Sequence, residues 1–211
     1  MNICTEIHKI FNCMERFSSS FDKEKIPYNG IYVLFEKHEY GHGLDRIVRV
    51  GTHTGEKQLS SRLQQHFLKE NKDRSIFRKN VGRAILNRDN NPFLQQWELD
   101  LTSRKNREKY SSQVDFSKQK QVEKQVSGYI QKCFSFVMFE VNNKKKRLEL
   151  ESKLISTVSL CADCRPSANW LGLCSPKSKI RESGLWLVNH LHKSPLNEKD
   201  LRSLWKLMEG Y

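Results

Sequence analysis

The 211-residue chain carries 37 Lys and Arg against 24 Asp and Glu, a formal charge of +13, which fits a polyanionic partner whose counterions are released on binding. Apolar residues make up 37%, and 11 Phe, 4 Trp and 6 Tyr are enough for a core; this excludes a disordered tail, and no apolar run approaches the ~18 residues of a membrane-spanning helix. The N-terminus lacks the long apolar core of a secretion signal, so the six cysteines read as reduced thiols of a cytoplasmic protein, nucleoid-associated if bacterial.

Residues 2–17 place Ile3, Ile7, Ile10, Phe11 and Met14 at helical spacing and predict an amphipathic helix. A breaker-rich link leads into a strand over Gly30–Lys37, apolar on both faces as a covered strand requires. HEYGHGLD then turns into a second strand, Arg46–His53, with Val48 and Val50 toward the core and Arg49 on the opposite face. Two helices follow. Leu59–Lys69 buries Leu59, Leu63 and Phe67 and shows Arg62 and His66, four apart, on another face. Asp73–Asn87 starts at an Asp N-cap, buries Ile76, Phe77, Val81, Ala84 and Ile85, and leaves Arg74, Arg78, Lys79 and Arg83 outside. Gly82 reads as a place of close approach. Residues 88–132 form a polar, basic insertion with a short helix in NNPFLQQWEL and another over Lys120–Lys132. Cys133–Val141 is a β-prone third strand. After Asn142-Asn143 a helix runs with Leu150, Leu154, Ile155 and Val158 inward, broken by Arg165-Pro166. SGLWLVNHLH and EKDLRSLWKLME read as two further helices that close the back of the domain.

Gly30-Ile31-Tyr32, followed seventeen residues after Tyr32 by Arg49-Val50-Gly51, resembles the GIY-YIG nuclease pattern. Arg62-Leu-Gln-Gln-His66 is similar to that family's Arg/His helix. Glu151-Ser-Lys-Leu-Ile155 is similar to its metal-binding glutamate with the apolar pair behind it, and Asn169 in SANWLG to the asparagine that closes its site. The resemblance spans about residues 28–170. It implies an α+β fold, a small three-stranded antiparallel sheet flanked by helices, here with the insertion and a helical C-terminal extension. That gives an N-terminal helix and linker over 1–27, a nuclease domain over 28–170, and the extension over 171–211.

The resemblance further implies a restriction-like or mobile-element endonuclease acting on double-stranded DNA, with a homodimer on DNA as one route to double-strand cutting. Glu151 would hold Mg²⁺ (or Mn²⁺) through a hard oxygen, as a cation that keeps several waters needs few carboxylates. Arg62 would neutralise the phosphate, Tyr32 would take the proton of the attacking water, and His66 would sit close to both as proton relay or hydrogen-bond partner. Arg74, Arg78, Lys79, Arg83 and the basic insertion would contact the DNA backbone. The chain departs from the family where Arg49 replaces the second tyrosine; it would steady the Tyr32 phenolate or bind the scissile phosphate. That departure also supports an alternative, an inactive nucleic-acid-binding protein on the same fold. Glu149 competes with Glu151 as metal ligand, and the apolar pair Leu154-Ile155 favours Glu151. Cys161-Ala-Asp-Cys164, with Cys174 and His190 or His192, is half of a zinc motif; without a second CxxC or HxxxH it reads as ordinary thiols. His38 and His42 read as solvated hairpin residues.

Overall fold

The computed structural model describes residues 2–208. Its sheet has three antiparallel strands in the order β2-β1-β3, formed by β1 Gly30–Gly41, β2 Leu44–Gly51 and β3 Phe134–Glu140. The helices in chain order are α1 Ile3–Asn12, α2 Leu59–Phe67, α3 Ile76–Arg88, α4 Leu94–Glu98, α5 Arg104–Tyr110, α6 Phe116–Cys133, α7 Lys144–Ser159, α8 Ser178–Ser183 and α9 Glu198–Met208. The α+β architecture expected from the sequence is what the chain adopts. Glu209, the last residue of the final predicted helix, lies outside the described residues.

The central strand is covered on both sides, as its apolar content demands. Ile31, Val33 and Phe35 pack with Ile7 and Phe11 of α1, Leu154 and Val158 of α7, and Leu201 and Leu204 of α9. Tyr32 and Leu34 pack with Leu63 and Phe67 of α2, Phe77 and Val81 of α3, Trp97 of α4 and Val126 of α6. The sheet is therefore the middle of three layers. Gly82 admits the Trp97 ring, which would lie 2.4 Å from a Cβ there.

Four sequence expectations are corrected. The first helix stops at Asn12 rather than residue 17, and Phe17 instead exchanges backbone hydrogen bonds with Phe136 of β3 at 2.8 and 2.9 Å. Val48 and Val50 do not share a face. The register passes from Leu34↔Arg49 to Phe35↔Ile47, so a bulge sends Val48 into the cluster around α2 and α3 while Val50 joins the one around α1 and α7. SGLWLVNHLH is not helical beyond Ser183. Leu185 and Leu187 enter one cluster, and Trp186 and Val188 the other. That is a period of two, and four consecutive apolar residues are used on two faces rather than one. Trp186 N–H bonds to Val48 O at 2.8 Å, so this segment runs beside β2 rather than closing the back.

The fourth correction concerns the basic face of α3. Arg74 is exposed, but Arg78, Lys79 and Arg83 are buried. Arg78 pairs with Glu123 of α6 at 2.7 Å, and Arg83 makes a two-pronged pair with Glu98 at 2.6 Å. Lys79 donates to Glu98 O at 2.8 Å. These cations hold the insertion onto the core, since burying a charge requires an ion pair and hydrogen bonds. Ile76, placed in the buried stripe by its spacing, is 43% exposed.

A looped-out stretch of β1 builds a polar knot. Between the pairs Phe35↔Ile47 and Tyr40↔Asp45, four residues of β1 oppose the single Arg46 of β2, with His38 at a φ of 69°. Glu39 turns inward to Arg46 (3.1 Å to Nε), and Glu36 accepts both indole N–H groups, Trp170 and Trp186, at 2.8 Å and the Tyr129 hydroxyl. Glu36→Ala should cost at least about 2 kcal/mol, because two buried indole donors lose their acceptor at ~1–3 kcal/mol each. Urea unfolding of the variant checks it, and an unchanged midpoint would refute the bracing role.

Candidate active site

The end of β2 and the helix that follows set the first half of the site. Leu59, Leu63 and Phe67 fix the roll of α2 against the sheet, and the same roll points His66 at the central strand. Tyr32 Oη and His66 Nε2 are 2.8 Å apart, and His66 Nδ1 lies 2.7 Å from Ser75 Oγ. Ser75, not Asp73, caps α3, accepting from Arg78 N–H at 3.2 Å. One hydroxyl therefore starts a helix and closes a Tyr–His–Ser chain. Burial pushes the His66 pKa well below its ordinary value, and Arg49, Arg62 and Arg78 push it the same way. The imidazole is neutral, and one ring nitrogen can accept a proton.

Tyr32 pairs with Gly51 across the sheet, and its ring covers that glycine. A Cβ at Gly51 would lie 2.2 Å from Tyr32 Oη and 2.4 Å from Cζ. Any side chain there must displace the phenol, so Gly51→Ala should lower activity about as much as loss of the hydroxyl while the chain stays folded. Circular dichroism beside a cleavage assay checks it; full activity would show that the phenol position is unimportant.

The second half of the site lies where β2 ends. Thr52 N–H donates to Glu151 Oε1 at 3.0 Å. Arg147, one turn before Glu151 on α7, is fully buried and reaches Val141 O at 2.9 Å and His53 O at 3.4 Å. It ties the 52–55 loop to the helix that carries Glu151. His53 is occupied on both nitrogens, by Gly55 O at 2.8 Å and Gly30 N–H at 3.4 Å. Burial raises the Glu151 pKa, opposed by Arg49, the Thr52 N–H, Arg62 and Arg147. Glu149 points away and pairs with Lys153 at 2.9 Å.

A groove joins the two halves. Its walls include Arg49, Arg62, Asn80, Glu151 and His190, so it collects the predicted arginines and the predicted carboxylate. Arg49 is 5% exposed, donates through Nη1 to Trp186 O and lies 5.4 Å over the Phe77 ring. Its Nε is buried and has no hydrogen-bond partner among the described residues, and the same holds for Asn80 Nδ2. Arg83 Nη1 holds Asn80 Oδ1 at 2.6 Å, which leaves the Asn80 amide nitrogen as the free end. Arg62 rests on Gln65 and Arg74 O at 3.3 and 3.2 Å. Three of the predicted catalytic residues lie outside the groove lining. Tyr32 and His66 are fully buried, and Asn169 is exposed in a turn.

Ser75, Asn80, Thr52 and Arg147 were missed by sequence reasoning. Two had a readable signal: Asn80 interrupts the apolar stripe of Phe77, Val81 and Ala84, and Arg147 stands at i−4 to Glu151.

An arginine pair and a carboxylate sharing one groove, with unused N–H donors between them, suit an anionic ligand that also brings a cation. Comparison with family models matches residues 2–210 to the GIY-YIG domain. The chain belongs to that family of nucleases, whose substrate is DNA. Comparison with curated proteins finds no match, and comparison with solved structures finds none. Among the described residues no helix is long and apolar enough to cross a membrane.

Proposed function

We propose that the chain is a metal-dependent endonuclease that hydrolyses phosphodiester bonds of double-stranded DNA in this groove. Among the described residues three buried side-chain donors lack a hydrogen-bond partner, Arg49 Nε, Asn80 Nδ2 and Arg147 Nε, and the observation that carries the reading is that the first two belong to residues that line the same groove as Arg62 and Glu151. Buried donors without acceptors are rare in native proteins, and the non-bridging oxygens of a phosphate would satisfy both. The donor set fits Mg²⁺ or Mn²⁺. Glu151 offers a hard carboxylate whose Oε2 takes no hydrogen bond among the described residues, and a cation that keeps its waters requires little more. When bound there, the cation supplies Lewis-acid stabilisation of charge on the phosphate.

The chain's own residues do the rest. Water attacks phosphorus in line with the departing 3′ oxygen, forming one P–O bond as the other breaks. Tyr32 takes the water's proton as its own passes to His66 Nε2, and Ser75 holds the far ring nitrogen. Arg62, Arg49 and Asn80 stabilise the charge that grows on the non-bridging oxygens. The leaving oxygen takes a proton from solvent.

With Arg78, Lys79 and Arg83 committed to the core, the phosphate contacts pass to other cations. Arg74 is exposed beside Arg62, and Lys57 is tied through Asn29 to Asn142, next to exposed Lys144, Lys145 and Lys146. Three lysines in the first turn of α7 oppose its dipole, a local cost that an anion would offset. A restriction-like or mobile-element role suits a chain that carries an insertion and an extension on one nuclease core. One site cuts one strand, so a double-strand break takes two chains or two successive nicks.

A second reading, a DNA-binding protein with a silent site, draws on Tyr32 being 0% exposed and on the seat of Arg49 against Trp186 O. Supercoiled plasmid incubated with Mg²⁺ or Mn²⁺ separates the two. Nicking or linearisation is the expected result; DNA retention on a gel with neither cation producing a nick would favour the silent site.

A further inference from the structure

Outside the lining of Glu151's groove, three segments bring cysteine and histidine together. Cys4 lies in the first turn of α1, and His42 stands with Gly43 at the β1–β2 turn, both at positive φ (56° and 74°). Cys161 and Cys164 occupy the turn that ends α7. Cys4 Sγ is 3.5 Å from Cys164 Sγ, and His42 Nε2 is 3.2 Å from Cys164 Sγ and 3.4 Å from Cys161 Sγ. A tetrahedral zinc with bonds of ~2.3 Å to sulfur and ~2.0–2.1 Å to nitrogen has edges of about 3.8 Å between sulfurs and about 3.5 Å from sulfur to nitrogen. These three separations are within a few tenths of an ångström of those edges.

Cys161 joins through His42, with 3.4 Å between Sγ and Nε2, whereas the ligand atoms of Cys4, His8, His42 and Cys164 all lie within 4.8 Å of one another, which makes His8 a further candidate. It is already used, however. Its Nε2 accepts Ile47 N–H at 3.2 Å, and its Nδ1 donates to Cys4 O at 2.8 Å. His42 is the opposite case. Nδ1 sits 3.0 Å from Thr5 Oγ1, an outer hydrogen bond of the kind that orients the ring of a metal-binding histidine, and Nε2 faces the sulfurs. His42 is therefore not the solvated loop residue its sequence position implies, and the half-motif Cys161-x-x-Cys164 is completed from α1 and the hairpin.

We propose that Cys4, His42, Cys161 and Cys164 bind one Zn²⁺, a closed structural site that clips α1, the β1–β2 turn and the end of α7 together. Three thiolates and an imidazole are a soft set that favours zinc over the hard cations suited to Glu151. Protein purified under reducing conditions from zinc-supplemented cells should contain about one zinc per chain by elemental analysis. Cys164→Ser and His42→Ala should lose it, and Glu151→Ala and the exposed-thiol control Cys13→Ser should keep it. If the two ligand variants do not fold, the wild type still decides: Co²⁺ added to metal-stripped protein should give visible thiolate-to-cobalt bands of a tetrahedral site. Folded wild type without zinc and without those bands, zinc retained after Cys164→Ser or His42→Ala, or a Cys4–Cys164 disulfide found by mass in freshly purified protein would overturn the assignment.

Discussion

Glu151→Gln is expected to abolish plasmid nicking in Mg²⁺, with a loss of ~10³-fold or more, yet to melt no lower than the wild type at neutral pH. Both halves follow from the surroundings of the carboxylate. On the proposed function Glu151 contributes a metal-binding oxygen, whose removal would forfeit several kcal/mol of transition-state stabilisation, and a thousandfold is about 4 kcal/mol. Burial raises the folded pKa of Glu151 above the ordinary carboxylate value. The stability linked to this group is complete below the unfolded value and is lost as pH rises through the folded one. At neutral pH without metal the charged form is thus a burden, and a neutral amide removes it while still accepting from Thr52 N–H. Added Mg²⁺ should raise the melting temperature of the wild type and leave that of Glu151→Gln unmoved. Equal nicking by the two proteins would remove Glu151 from the site; DNA binding without nicking in either would point to the silent-site reading.

Tyr32→Phe is expected to cut kcat by ~10²–10⁴, the range for a lost general base, with little change in KM. The ring still covers Gly51, so the strand keeps its shape. His66 Nε2 loses its partner at 2.8 Å, a cost of about 1–3 kcal/mol for a buried group. The pH profile carries a further signature. His66 lies far below its ordinary pKa, first through burial and then through Arg49, Arg62 and Arg78. It stays neutral on passing below pH ~6.5, so wild-type cleavage should hold there and fall only at lower pH. The stability linked to His66 has the matching sign: it is present above the unfolded value and is lost as pH falls toward the folded one. Cleavage that halves near pH 6.5 would show that a solvated imidazole, not this one, takes part. Full activity in Tyr32→Phe would show that the water is activated without the phenol.

The sheet, α2 and the α7 helix were legible because each has one strong periodicity. The apolar runs of β1 and β3, the Leu59-Leu63-Phe67 stripe and the helical spacing after Asn142-Asn143 mark these elements, although not the register between β1 and β2. Partners chosen over long separations were not legible. Nothing local to Arg78 names Glu123 as its counter-ion, 45 residues away, so a buried cation looks the same as a solvated one in sequence. The bulge opposite Phe35 has no Gly or Pro to announce it, and it decides on which face Val48 lies. The segment after Ser183 was misread because four adjacent apolar residues fit a buried helix and a two-faced extended chain equally well. That misreading hid a wall of the groove, since Leu187, Val188, Asn189 and His190 line it. Arg49 was visible as the departure from the family pattern. Its seat under Trp186 O was not, because the two residues are 137 apart.

The pairing of Trp186 with β2 and of Phe17 with β3 has a consequence for self-association. An open sheet invites another chain to add a strand at its free edge. Here each outer strand has a backbone group in its middle taken by the chain itself, Val48 O on one side and both polar groups of Phe136 on the other. A second copy cannot continue the sheet from either edge without stripping off a flanking segment whose side chain, Trp186 or Phe17, is packed against the core. Two copies that meet to cut opposite strands would therefore touch through helical surfaces or be held in register by the duplex alone.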